Sequence, residues 1–483
     1  MLFSISGKNF IGQEFSGLNL GDRRLNERAI KVGQIINESP KLSFPNAAKG
    51  NRYELKALYR FFQNDKVTLQ KIMETHYLNT IERCLASTGP ILLITDSVFM
   101  SPPKKKMMEG LKSKGVSEHN NLRIHYMIAV DGKSHEILGI TDFRIIGENV
   151  HDTNITMEEE CDIWELVTRA TLKRINDHFK ESFEKLRARL IFIADREADA
   201  YHIFNSLSHL KINFIIRSSY KRKLEEKDTH HPVYFSELEQ DEILHGKPYE
   251  INVYENGKAK AFKVQRSILG NYVVHPPRLR VGKKSPDYQR FEPMKLSMVF
   301  VKEIDRKNEK ERLTWQIFTT LNINDVLESE KAVEYYKCRW KIEELNKSAK
   351  TGVSLEERQF TNLEHLKPAI GMIFIIAWRI LALRDLSKVN GNCLAKEMMS
   401  QDEMDFLVEK LETPEKKLKI EVVMDYIARQ GGFLGSYENP GWIVLWRGWF
   451  QFVNQVEGFT FAKSIYKKSS KRKSNTAKRV LPK

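Results

Sequence analysis

The sequence predicts an α/β fold built around a mixed sheet, and three patterns support this prediction. Two short apolar runs, residues 91–96 and 190–195, each close on an aspartate, as buried strands do when they reach the edge of a sheet. A Val-Asp-Gly-Lys turn joins strand candidates at 122–131 and 135–146 into a hairpin. A long helix candidate, 158–186, precedes the second run, so that helices and strands alternate as they do in α/β proteins.

Composition limits the kind of protein this can be. The chain has 483 residues, of which 41% are hydrophobic and 29% charged, as in globular proteins of about two to four domains. The formal net charge is +15, and the stretch 463–483 is rich in Lys and Arg and lacks Asp and Glu, which indicates a polyanionic partner. A merely solubilising terminus would have the same composition.

The sequence indicates neither cysteine-based cross-links or metal sites nor a segment that targets or crosses a membrane. The four cysteines form no CxxC pair, so neither a zinc site nor a disulfide framework is expected. The first residues lack the layout of a signal peptide, and the longest apolar run, 369–378, is too short to span a bilayer and is predicted to be a buried helix. We therefore expect a cytoplasmic protein with no membrane partner.

Residues 1–70 are predicted to form a small helical module with basic faces. One helix candidate carries Arg23, Arg24 and Arg28 beside apolar residues, and a later one carries Arg60. Arginines on a helix face suit contacts with the phosphates of double-stranded DNA. A basic helical domain that binds no DNA fits this pattern equally well.

The segment 333–350 contains no Gly or Pro and is predicted to be one helix that stops at Thr351-Gly352. At 3.6 residues per turn, one carboxylate, one phenol and several cations fall within an arc of roughly 80°, with Trp340 beside them. These residues are Tyr336, Arg339, Glu343, Lys347 and Lys350. The opposite side is apolar and can pack on a core. A solvated amphipathic helix with ordinary i,i+4 ion pairs would give the same pattern.

Three acids from distant parts of the chain, Asp96, Asp195 and Glu343, can meet if this helix packs where the two strands end. Carboxylates without Cys or His suit a hard divalent cation, Mg²⁺ or Mn²⁺. Two such ions can activate an attacking oxygen and stabilise a leaving one, while nearby cations hold phosphates. The pattern thus predicts metal-dependent phosphodiester chemistry, although a single aspartate after a strand is more often a helix cap or turn residue.

Several motifs, in order along the chain, resemble those of the DDE transposases of the insertion-sequence-four type. The spacing Tyr336-x2-Arg339-x3-Glu343-x6-Lys350 matches their YREK signature. Further similar segments, including those around their two catalytic aspartates, are Leu20-Gly21-Asp22, Tyr59-Arg60-Phe61, Thr95-Asp96-Ser97, Asp195-Arg196-Glu197-Ala198-Asp199 and the stretch 427–433. The resemblance covers most of the chain.

This resemblance implies a ribonuclease-H-like catalytic core with a mostly β insertion, flanked by helical N- and C-terminal domains. The expected divisions are a DNA-binding domain at 1–70, a catalytic domain at 71–370 with its insertion at 220–320, a dimerisation domain at 371–465 and a basic disordered tail at 466–483.

The resemblance also implies roles for individual residues. Two Mg²⁺ ions, or Mn²⁺, would be held by Asp96, Asp195 and Glu343 when DNA is bound. Phosphates near the cleaved end would be contacted by Tyr336, Arg339, Lys347 and Lys350. Two tryptophans, Trp315 and Trp340, would hold a base flipped from the end of the element, the alternative for each being core packing.

The implied activity is cut-and-paste transposition in a bacterial cytoplasm, by a homodimer that binds the inverted terminal repeats of its element. Cleavage would pass through a DNA hairpin, and the 3′ ends would be joined to target DNA. Two alternatives stay open on the sequence. One is a metal-dependent nuclease of the same fold that never joins strands, and the other is a catalytically inactive DNA-binding regulator.

Overall fold

The structure is a computed structural model. It describes residues 10–40, 43–100, 109, 122–146, 157–218, 222–226, 232–234, 247–255, 258–276, 291–308, 312–355, 360–435 and 440–479.

The N-terminal region is helical, as predicted. Its helices are α1 (Phe10–Phe15), α2 (Arg23–Glu38), α3 (Phe44–Ala47), α4 (Arg52–Phe62) and α5 (Leu69–Ala86). Side chains cap three of the starts, because oxygens of the Asp22, Asn51 and Thr68 side chains accept hydrogen bonds from backbone amides of α2, α4 and α5. A buried carboxylate ties α1 to α5, since Glu14 lies 2.6 Å from His76 Nδ1 and 2.9 Å from Arg83 Nη1.

The strands in the described part of the chain belong to a single sheet. They are β1 (Ile91–Met100), β2 (Leu122–Asp131), β3 (Ile137–Ile146), β4 (Leu190–Ala194), β5 (Asn213–Arg217), β6 (Lys223–Glu226), β7 (Pro232–Tyr234), β8 (Tyr249–Glu255), β9 (Lys258–Val274), β10 (Met294–Glu303) and β11 (Thr314–Thr319). Their order is β3-β2-β1-β4-β5-β11-β10-β9-β6-β7, with β8 against β9. Strand β4 is parallel to both β1 and β5, and the β1–β2 and β2–β3 pairs are antiparallel, which confirms the predicted mixed sheet.

The strands of the predicted β insertion extend the core sheet instead of forming a separate one. Strand β11 pairs antiparallel with β5, and β10 and β9 continue outward from it. The insertion is therefore attached to the catalytic region by backbone hydrogen bonds.

Strand β1 is longer than the sequence predicted. We expected it to end at Asp96, but it continues to Met100 because Ser97 to Met100 pair with His125 to Leu122 of β2. Asp96 and Ser97 interrupt the apolar run and suggest an end there, whereas the backbone pairing that continues the strand leaves no mark on hydrophobicity. Strand β4 ends as predicted, with Asp195 directly after it.

The remaining α-helices described are α6 (Met157–His178), α7 (Phe183–Arg187), α8 (Tyr201–His209), α9 (Val326–Lys337), α10 (Trp340–Lys347), α11 (Leu363–Val389), α12 (Gln401–Lys410), α13 (Ile420–Gln430) and α14 (Trp442–Arg479). Helix α11 is long and apolar enough to cross a membrane by length and composition alone. Its most apolar window is 94% buried inside the protein, so it is a core helix, and the run 369–378 is buried as predicted.

One helix prediction and one prediction of disorder differ from the structure. The segment 333–350 is not one helix, because the backbone tightens at Cys338 and Arg339, where amides bond to the carbonyl three residues back, and α9 gives way to α10. A π-helical turn, Ser348–Gly352, follows α10. The tail expected to be disordered from 466 is helical in α14 as far as Arg479, in keeping with its lack of Gly and Pro over that span.

Candidate active site

The sheet brings the two aspartates together. Ile94 of β1 is paired in parallel with Ile193 of β4, and Asp96 and Asp195 each lie two residues further along. Residues two apart on a strand point to the same face, and neighbouring strands are about 5 Å apart. Consistent with this proximity, the charge of Asp195 acts on Asp96 and helps to raise its pKa.

Helix α10 covers the same face of the sheet. Leu92 and Ile94 of β1 share one hydrophobic core with Ile342 and Leu345 of α10, whereas Ile91 of β1 packs in the core on the other face. Because side chains alternate along a strand, Asp96 points toward α10. The helix whose apolar back was predicted to pack on a core therefore packs where the strands carry their acids.

A single arginine joins Glu343 to Asp96. Arg339 Nη2 donates to Glu343 Oε1 at 2.6 Å, and Nη1 lies 3.4 Å from Asp96 Oδ2. The three side chains are between 18% and 26% exposed, so the contacts are largely screened from water. Residues separated by 243 positions in sequence meet here through one guanidinium.

The surroundings of Asp96 disfavour the ionised form of its carboxyl. Burial raises the pKa of Asp96 to about 7, helped by the charges of Asp195 and Glu197 and opposed by Arg339 and by the Ser97 amide, which donates to Oδ1. Burial opposes the charge of Arg339, but Tyr336, Glu343, Asp96 and Asp195 together keep the pKa of that guanidinium above its ordinary value. Elevated carboxyl pKa values of this kind are common at functional sites.

The aromatic residues predicted near the site differ in accessibility. Trp315 of β11 is 7% exposed and Tyr336 is 4% exposed, and their rings meet edge to face at 5.3 Å between centroids. Burial raises the pKa of the Tyr336 hydroxyl. Trp340 is half-buried, and the Lys347 ammonium lies 4.3 Å from its ring centroid. Of the two tryptophans, Trp340 is the more accessible.

Lys350 lies on the π-helical turn and reaches the end of β1. Its Nζ donates to the carbonyl of Phe99 at 2.5 Å. A π-helical turn shifts the side chains that follow it relative to an α-helix, and such turns are frequent at functional sites. The last residue of the predicted cationic face is therefore connected to the strand that carries Asp96.

The N-terminal arginines are mostly engaged within the protein. Arg23 pairs with Glu27, Arg24 pairs with Asp22, and the half-buried Arg28 Nη2 lies 2.6 Å from Glu54. Arg60 is exposed on α4. Since surface ion pairs are weak, Arg23 and Arg24 can exchange their partners for phosphates at little cost, whereas Arg28 is more firmly held.

A buried ionic network, which no pattern in the sequence predicted, holds α10 on α11. Lys341 Nζ contacts Asp385 at 2.7 Å, and Arg384 contacts both Glu344, at 2.7 Å, and Asp385, at 3.0 Å. Burial alone would raise the pKa of Glu344, but Arg384 holds it below its ordinary value. Charges on the apolar α11 were the only sequence signal, and they gave no indication of a partner.

A metal ion would need several of these acids at once. Among the described residues, no group of three or more His, Cys, Asp or Glu side chains is arranged to hold one. The donor set nevertheless fits a hard divalent cation, since Asp96, Asp195 and Glu343 offer only carboxylate oxygens. What lies between two of them is the guanidinium of Arg339.

Comparison with known families identifies the class of protein. A family model described as transposase DDE domain matches residues 87–379, more than half of the chain. A model described as transposase DNA-binding matches 8–67, and one described as transposase Tn5 dimerisation domain matches 375–469. The chain belongs to the DDE transposases. The three domains in this order define more particularly a Tn5-like member.

This membership confirms the main functional expectations. The protein is a DNA transposase with a ribonuclease-H-like core, which binds DNA, forms dimers and catalyses DNA cleavage and strand transfer. The family uses divalent metal, typically Mg²⁺.

Proposed function

We propose that the protein is a cut-and-paste transposase, which binds the inverted terminal repeats of its element and moves it through a DNA hairpin intermediate. The observation that supports the proposal is the contact of Arg339 with both Asp96 and Glu343, together with the β1–β4 register that places Asp195 on the strand next to Asp96. Hydrolysis, hairpin formation, hairpin opening and strand transfer are all in-line attacks on a phosphodiester. One carboxylate triad can therefore serve each of them.

Asp96, Asp195 and Glu343 would hold two divalent ions, Mg²⁺ or Mn²⁺. When bound, the metal supplies a Lewis acid and lowers the pKa of an attacking water or hydroxyl. The chain orients these acids through the β1–β4 register and through the network that holds α10 on α11. Burial excludes bulk water from the Asp96 side of the site.

The DNA end would lie along the cationic side of α9, α10 and the π-helical turn. Tyr336, Arg339, Lys347 and Lys350 would contact phosphates, and arginine can do so through two parallel hydrogen bonds. Trp340 is the better-placed tryptophan for stacking on a flipped base, because Trp315 would first have to separate from Tyr336.

The flanking domains would supply end recognition and pairing. Arg23, Arg24, Arg28 and Arg60 would contact the terminal repeat, and the C-terminal helices would pair two protomers that also engage target DNA. Such an enzyme would act in a bacterial cytoplasm, on the nucleoid, with the basic tail adding non-specific attraction to DNA.

The decisive experiment uses labelled duplexes from the DNA that flanks the coding region, incubated with the full-length protein and Mg²⁺. We expect nicked ends, hairpins and strand-transfer products to appear in turn. Glu343→Gln should abolish all three without loss of DNA binding. Glu334→Gln is a matched control, since Glu334 lies on α9 and pairs with Lys337 at the surface.

The same gel separates the alternatives. Nicks without hairpins or joined products would indicate a nuclease of the same fold and overturn the transposition pathway. Metal-independent products, or equal activity of the Glu343→Gln variant, would remove the triad assignment. A wild-type protein that binds these ends yet leaves them intact would indicate a regulator.

A further inference from the structure

Arg339 lies between Asp96 and Glu343, two of the three acids proposed to bind metal. Its two terminal nitrogens contact Glu343 Oε1 at 2.6 Å and Asp96 Oδ2 at 3.4 Å. The guanidinium is 21% exposed, and four nearby groups keep its pKa above the ordinary value. An arginine in such surroundings does not lose its proton, so the positive charge stays as long as the side chain does.

The guanidinium and a divalent cation would compete for the same two carboxylates. Each charge-assisted hydrogen bond from Arg339 occupies one of the lone-pair sites of the acid, and the charge of the guanidinium already compensates the charge that would attract a metal. The positive charge of the guanidinium would also repel a divalent cation held by the same two carboxylates, because little solvent would lie between them. Arg339 therefore competes with metal for Asp96 and for Glu343 simultaneously.

We propose that Arg339 is the built-in counter-cation of the triad, and that its departure from Asp96 and Glu343 is required before divalent metal can load. The inference rests on the proposed assignment of those acids as metal ligands. Arg339 acts here as a positioning residue, because it keeps Glu343 directed at Asp96. A phosphate oxygen offers the guanidinium an equivalent partner, so DNA binding and metal loading would draw on the same side chain.

The chain provides a matched control on the same helix. Lys347 is four residues after Glu343, as Arg339 is four residues before it, but its ammonium lies over the Trp340 ring, at 4.3 Å from the centroid. Replacing either cation by glutamine removes one positive charge within about one helical turn of Glu343. Only the change at Arg339 removes a cation that contacts the acids themselves.

The experiment measures Mn²⁺ binding to the full-length protein without DNA, by the loss of the free-ion EPR signal and by calorimetry. We expect Arg339→Gln to bind Mn²⁺ about tenfold or more tightly than wild type, and Lys347→Gln to stay within about twofold. Thermal unfolding of each variant shows whether it is folded. Should Arg339→Gln fail to fold, Arg339→Lys, which keeps the charge but loses the two-armed bridge, is expected to bind Mn²⁺ more tightly than wild type.

The double variant Arg339→Gln/Glu343→Gln tests separately whether the metal binds at the three acids and whether Arg339 competes with it there. If it loses the added affinity, the metal lies at the triad and the competition is direct. If it keeps that affinity, the metal binds elsewhere, and the assignment of Glu343 as a ligand fails together with the inference. If Arg339→Gln binds Mn²⁺ no better than wild type while Glu343→Gln weakens binding, the ligands stand and the counter-cation role is refuted.

Discussion

The charge of Asp96, which the proposed metal site requires, should lower the stability of the folded protein, and this cost can be measured. Burial raises the pKa of its carboxyl from 3.8 to about 7, so the ionised form is disfavoured in the folded protein. Asp96→Asn keeps the shape of the side chain and removes the charge. We expect this variant, in EDTA at pH 8, to be more stable than wild type and to have lost DNA cleavage.

The magnitude and the sign follow from linkage. A carboxyl with a raised folded pKa stabilises the fold below pH 3.8, and this contribution disappears as the pH rises through about 7. The full difference corresponds to about 4 kcal/mol, which is an upper bound because Asn also loses the attraction of Arg339. The advantage of Asp96→Asn should therefore be largest at pH 8 and small near pH 4.

Thermal unfolding in EDTA at pH 5 and pH 8 tests this prediction. Glu344→Gln is the control with the opposite sign, since Glu344 is buried but has its pKa lowered by Arg384. Removing one partner of such a pair should destabilise the protein by about 3–5 kcal/mol, and this loss should be smaller at low pH. An Asp96→Asn variant that is less stable than wild type at pH 8 would refute our account of the burial of this carboxyl.

Two further predictions concern the flanking domains. Glu14→Gln should lower the midpoint of thermal unfolding by an amount equivalent to about 3 kcal/mol, because it leaves Arg83 buried without its counter-ion, whereas Glu27→Gln at an exposed pair should cost less than about 0.5 kcal/mol. Equal effects would contradict the proposed anchoring role. Phe461 and Ile465 are 66% and 52% exposed, one turn apart on α14, within the matched dimerisation region. Their joint replacement by Asp should shift the sedimentation of the protein toward the monomer without changing its unfolding midpoint, and an unchanged dimer would place the interface elsewhere.

Some of the fold was predictable because its signals are local. The apolar run before Asp195 ended where the strand ends, and the Asp-Gly turn after β2 joined the expected hairpin. The prediction for β1 was wrong at its second half, because pairing with β2 extends the strand beyond Asp96 and Ser97, the polar residues that interrupt its apolar run. The single helix predicted at 333–350 was wrong because helix propensity does not register the tightened turn at Arg339.

The sequence alone determined which residue types are available, namely three acids without Cys or His and a row of cations around one of them. Those identities favour hard-metal phosphodiester chemistry, since the kind of metal that a site prefers depends on the type of ligand. The tertiary structure decided which of these side chains are in contact with one another. The contact of Arg339 with both Asp96 and Glu343, and the network beneath α10, depend on the crossing of a strand and a helix 243 residues apart, and no local pattern encodes such a distance.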